Sequence, residues 1–120
     1  MADNDIYNSR GRYEKFKNEL QKYLLPPDGM RITQIKNPIN VNHFKRLFLK
    51  LEARNCSYLR RLRICQILLM VCHCIEKDLA EATREDIDSL MVFAHQRNKT
   101  PISKQDFVKQ IRFLWKLLFP

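Results

Sequence analysis

Glycine is nearly missing from this chain, with two in 120 residues. So few freely left-handed positions exclude a sheet protein built on tight hairpins, and they leave no glycine-rich phosphate loop. No uninterrupted apolar run reaches the roughly 18 residues that a transmembrane helix needs. The opening, MADNDIYNSRGRYEKFKNEL, has no apolar centre and is not a signal peptide. Ligand pairs at C-x2-C spacing are absent too, so the four cysteines and three histidines are not expected to hold zinc, and no other metal or cofactor is implied. Cys56, Cys65, Cys72 and Cys74 read instead as reduced thiols in a cytoplasmic protein. Cys72 and Cys74 would diverge by about 200° on a helix and cannot pair there. Cys65 and Cys72 continue an apolar stripe and are expected to be buried. No nucleophile and base stand at a readable spacing, so the chain alone does not read as an enzyme.

What is present is a globular balance: 45% hydrophobic and 29% charged residues, in a length that suits one domain with one core. The formal charge is +9, and it is unevenly spread. Residues 41–64 carry seven cations against Glu52, a balance of +6; residues 76–90 balance at −4; residues 97–116 return to +5. Two basic blocks around an acidic one point to a polyanion as partner.

The apolar periodicity predicts an all-α fold. Residues 1–12 read as a disordered polar tail. Residues 13–36 read as a leading helix and connector, with Tyr13, Phe16, Leu20 and Leu24 on a weak stripe that LLPPDG stops. Asn40 or Asn42 would cap the next helix, in which Phe44, Leu47, Phe48 and Leu51 face inward. Ser57 caps YLRRLRICQILLMVCHCIEKDL, a helix apolar almost all round and therefore the hub of the fold. Thr83 with Asp86 forms a capping box ahead of a helix whose inner face is Ile87, Leu90, Met91 and Ala94. Ser103 with Asp106 is expected to cap the last helix, with Ile102 and Phe107 as a hydrophobic staple. Its inner stripe would be Phe107, Ile111, Leu114, Trp115 and Leu118.

Two helix starts combine hydroxyl, backbone and cationic donors, the mixture that holds a protein on a duplex backbone. The first is Ser57, Arg60 and Arg61; the second is Thr100, Ser103 and Lys104. Lys45 and Lys109 are further candidate contacts.

The order of motifs from NPINVNHFKRLF through NCSYLRRLR and ATREDI to SKQDFVKQIRFLWKLL resembles the N-terminal core-binding domain of tyrosine recombinases, the phage-integrase family, most closely in its archaeal form. The matching positions are Phe44 and Phe48, Ser57 with Arg60, Thr83 to Ile87, and Ser103 with Phe107, Ile111, Phe113 and Trp115. The resemblance implies a SAM-like four-helix bundle over residues 37–120, carrying the weak leading helix as an addition. It implies a domain that clamps double-stranded DNA for integration or recombination, while a catalytic domain beyond Pro120, absent from this chain, cuts and joins strands. It further implies a monomer in isolation and protomer contacts once a full-length recombinase assembles on DNA. The family's His-x-x-Arg has a literal counterpart in His43-Phe44-Lys45-Arg46, which reads as chance because Phe44 is a core position. The alternatives are a helical protein-interaction module and a stand-alone DNA-binding regulator related to recombinases.

Overall fold

Residues 8–24, 34–97 and 100–120 are described by the computed structural model, and among them there are five α-helices and no strands. Most of LLPPDG and part of the connector fall outside these residues, as do residues 1–7 and the side chain of Ile102 that the expected staple needs.

Helix α1 spans Ser9–Asn18 and so starts ahead of Tyr13, within the segment expected to be a tail. Asn8 permits this start by taking a left-handed conformation, φ 52°, which asparagine tolerates better than most residues. Gly11 makes room for it, since a Cβ there would stand 2.6 Å from the Asn8 amide oxygen. A 3-10 turn, Leu20–Tyr23, follows. Tyr13, Phe16 and Leu20 belong to the same core as the other helices. The rings of Phe16 and Phe44 lie 5.8 Å apart, and Tyr13 packs edge-on against Phe48 at 6.0 Å. The leading helix is therefore part of the bundle's core, not an appendage to it.

Helix α2, Val41–Ala53, buries Phe44, Leu47, Phe48 and Leu51 as its periodicity predicts. It ends in a Schellman arrangement on Asn55, φ 53°, with Asn55 N–H donating to Glu52 and Cys56 N–H to Leu51. Neither candidate asparagine caps it. Asn37 caps a short 3-10 turn, Pro38–Asn40, and Asn40 is buried, donating to the Lys77 carbonyl and accepting from Leu79 N–H. A capping residue on a sequence basis is thus a tertiary clamp in the fold.

Helix α3, Tyr58–Cys74, is the hub, in contact with α1, α2, α4 and α5. It contributes Ile64, Cys65, Leu68, Val71 and Cys72 to the core. Helix α4, Arg84–Arg97, opens on the expected capping box: Thr83 N–H donates to Asp86 at 2.8 Å and Asp86 N–H returns to Thr83 Oγ1 at 3.3 Å. Helix α5, Pro101–Leu118, buries Phe107, Ile111, Leu114, Leu117 and Leu118. Trp115 is only half-buried, against Phe119, and Leu117 takes the place expected for it in the core. Among the described residues no helix is long and apolar enough to cross a membrane.

Candidate nucleic-acid interface

Ser57 stands in extended backbone before α3, and its Oγ accepts the Arg60 N–H at 3.2 Å, as a cap should. Successive residues on a helix point about 100° apart, so Arg60 and Arg61 leave α3 in different directions. Arg60 is exposed, its guanidinium carbon 4.6 Å from the centre of the Phe113 ring on α5. Arg61 points the other way. It keeps 8% of its surface and lies 4.5 Å from the Tyr58 ring and 5.5 Å from Tyr13. The sequence reading put both arginines on one surface; α1 packs over that side of α3 and covers Arg61.

Phe113 is shared. Arg54, just past the end of α2, approaches the same ring at 5.8 Å. Beside it, Lys50, Ala53, Arg54, Lys116, Leu117 and Pro120 enclose an open cavity of about 270 Å³ with no carboxylate side chain in its lining. On α5 the exposed Lys109, Arg112 and Lys116 follow one another at helical spacing and form a single outer stripe. The stripe leads to Lys116, hence to Lys50 and Arg54, and so to Arg60. Sequence reasoning left out Lys50, Arg54, Arg112 and Lys116. The spacing of Lys109, Arg112 and Lys116 carried that signal; the approach of Arg54 to Phe113 is tertiary and did not show.

Helices α3 and α5 run antiparallel along their contact, since Arg60 meets Phe113 while Arg63, further along α3, pairs with Asp106 at 2.5 Å. Asp106 is thereby committed, and it does not cap α5. That role falls to Thr100, whose Oγ1 accepts from Ser103 N–H at 3.1 Å and donates to Ser103 Oγ at 2.8 Å, with Pro101 at the first helical position. The shift by one turn arises because proline fits only where no N–H is needed. Thr100 and Ser103 are exposed and Lys104 half-buried, and Ser103 sits about 15 Å along the axis from Phe113. The eight residues singled out by sequence do not form one site. Arg60 is on the Phe113 ring, with Ser57 capping its helix and Lys109 one turn before Phe113 on α5; Thr100, Ser103 and Lys104 are at the far end of α5; Lys45 is exposed earlier on α2; Arg61 is inside.

His43 and Arg46 of the stray His-x-x-Arg are tied into the fold. His43 is buried, with Nε2 2.8 Å from Asp78 and Nδ1 3.1 Å from the Arg46 guanidinium. Arginine only donates, so Nδ1 accepts and Nε2–H donates to Asp78. That hydrogen bond, aided by the Ala80 N–H, holds the Asp78 carboxyl below the usual aspartate range. Arg46 also donates to the Leu118 carbonyl and lies 5.6 Å from the Phe119 ring. Burial pushes the Cys65 and Cys72 thiols up, which keeps them protonated and unreactive. Among the described residues no three of His, Cys, Asp and Glu come together as a metal site.

No family model, curated protein or solved structure matches this chain. The likeness to a core-binding domain rests on the motifs quoted from the sequence.

Proposed function

We propose that this chain is a duplex-DNA-binding domain of the core-binding kind found in tyrosine recombinases, holding DNA for a catalytic domain that lies elsewhere. The observation that carries the reading is the pair Arg54 and Arg60 on the one ring of Phe113, with Lys50 and Lys116 adjoining and no acidic side chain in the cavity lining. A ring between two guanidiniums restrains their swing, so less side-chain entropy is lost when each meets a phosphate. The stripe Lys109, Arg112 and Lys116 extends the same charge along α5, as a track for a duplex backbone requires. Ser57, with its hydroxyl at the start of α3, adds a neutral donor beside Arg60.

The test is titration of the 120-residue chain with a short duplex over a series of salt concentrations. Weak binding with little sequence preference is expected, with a slope of log K on log salt near −4 to −5 if about five phosphates are neutralised. Arg54→Glu with Arg60→Glu is expected to abolish binding while helicity and melting persist. A flat salt response would remove the DNA reading.

One feature favours a second reading. Leu59, beside Arg60, is 53% exposed, and a side chain of that kind suits a protein partner better than a phosphate track. In that case the cationic face meets an acidic protein, and the duplex titration comes out negative.

A further inference from the structure

A second open cavity, of about 340 Å³, lies where α1 and the 3-10 turn after it meet α3, and it shares no residue with the one beside Phe113. Leu62 lines it and leaves α3 about 200° round from Arg60, so the cavity is on another side of that helix. Its floor is apolar. Phe16 and Leu62 border it while keeping only 7% and 4% of their surface, so the opening reaches down to the core. Tyr23 adds a half-buried ring, tilted against that of Phe16 at 5.2 Å.

Its rim is cationic. Arg12, Lys15 and Phe16 stand at i, i+3 and i+4 on α1, so one helical face carries two charges and the ring between them. Both cations are exposed, and among the described residues neither side chain has an ion-pair or hydrogen-bond partner. The one acid of the lining, Glu19, is paired with Lys22 at 3.2 Å, and three cations against one carboxylate leave a net charge of +2. On the α3 wall Gln66 brings an amide that can both donate and accept. Long cationic side chains often lie along apolar surface and cover it. Here they leave an open cavity above Phe16 and Leu62.

We propose that this cavity is a binding site for a small aromatic carboxylate, its ring on Phe16, Tyr23 and Leu62 and its carboxylate held by Arg12 and Lys15. The two halves of the cavity ask for the two halves of such a ligand. An uncharged ring would leave the cations without a partner, and a bare anion would leave the apolar floor in water. Arginine meets a planar carboxylate with two parallel N–H donors, and ring against ring is a favoured contact at the floor. The volume is at the lower end of the roughly 300–1,000 Å³ of small-molecule sites, which suits one ring or two fused rings. The site does not rest on the DNA reading, in which α1 has no part.

The test titrates the whole chain, labelled with nitrogen-15, with 2-naphthoate at constant ionic strength. Two controls each lack one half of the ligand: acetate has no ring, and 2-naphthalenemethanol has no charge. Saturable shifts of the Lys15, Phe16, Leu62 and Gln66 amides are expected with 2-naphthoate and not with acetate. The uncharged control is expected to bind more weakly. Arg12→Gln with Lys15→Gln is expected to weaken 2-naphthoate about 10-fold and to leave melting unchanged, since neither side chain has a partner to lose. Gln66→Trp, which puts bulk into the cavity from an exposed position, is expected to abolish binding while helicity persists. No saturable shift in the folded wild type overturns the site. So does equal binding of 2-naphthoate and 2-naphthalenemethanol with no loss in the double variant, which would make the cavity an apolar crevice. Shifts centred on Arg54, Arg60 and Phe113 would put the ligand on the other cation cluster and overturn it too. The result is separate from the duplex titration: a chain that fails to bind DNA is still expected to bind 2-naphthoate.

Discussion

Tyr13 donates a 2.7 Å hydrogen bond to Glu52, which also receives Lys17 at 2.6 Å, so one carboxylate of α2 gathers two side chains of α1. Tyr13 is fully buried, and burial followed by this hydrogen bond raises its phenol far above the usual range. Tyr13→Phe removes the bond but keeps the ring and is expected to cost about 1–3 kcal/mol, the range for hydrogen bonds to charged groups. Tyr13→Ala also empties the space between Phe48 and Tyr58 and is expected to cost about 3–5 kcal/mol. Urea unfolding of the two variants measures both, and a Tyr13→Phe variant as stable as the wild type would deny the hydrogen bond any part.

Acid should destabilise the fold in a defined way. Glu52 is held below the ordinary glutamate range by the hydrogen bond from Lys17 and then that from Tyr13. A carboxylate depressed in the folded state contributes stability above its unfolded pKa and loses it as pH falls through the folded pKa. Asp78, held down by His43, acts in the same direction. His73, lowered by burial and then by Lys36, adds a loss that begins near the ordinary histidine value and grows toward its lower folded one. Unfolding midpoints measured from pH 7 down to about 3 should therefore fall, and Glu52→Gln should flatten the lowest part of the curve.

Arg54→Ala and Arg60→Ala should each weaken duplex binding and reduce the salt slope by about one unit. Each loses a contact to Phe113 worth about 0.5–1 kcal/mol at an exposed site, so melting should change little. Parallel melting and affinity measurements decide it. Early melting with normal binding would make both side chains structural.

Thiol reactivity should split the cysteines. Cys56 and Cys74 are half-buried and should react with a thiol reagent in the folded state, while Cys65 and Cys72 should react only on unfolding. Cys72→Ser should cost about 1–3 kcal/mol by placing a hydroxyl in an apolar core. Four equal reaction rates would contradict this placement.

On α5 the order of sensitivity should be Leu114 before Trp115. Leu114 is fully buried, and its truncation to alanine is expected to cost about 2–5 kcal/mol. Trp115→Ala should cost less than the loss of a fully buried tryptophan, because part of the ring faces solvent. Chemical unfolding of the two variants gives the comparison.

The legible parts of the fold are those decided within a few residues. Ser57 and the Thr83–Asp86 box cap as read, and Phe44, Leu47, Phe48 and Leu51 face inward because their spacing demands it. The illegible parts depend on partners far along the chain. Asn40 is held by Lys77 and Leu79, and nothing near it in sequence reveals a clamp. Arg61 lies next to Arg60 in a run of cations, and only the position of α1 decides which of the two is covered. The Phe113 cluster escaped for the same reason: Arg54 comes from a different helix. Thr100 was legible and passed over, since Pro101 already marks the first helical position.

The attachment of α1 has a consequence for the order in which this chain folds. α1 has ten residues, no acid in its first turn and no side-chain cap, and a helix that short is marginal by itself in water. Its anchors, Glu52 and Tyr58, are some forty residues downstream, and they stand side by side only after α2 has packed on α3. α1 is therefore expected to be the latecomer of the bundle, condensing onto a surface made by helices that follow it in sequence, and its amides should exchange early when the native state opens.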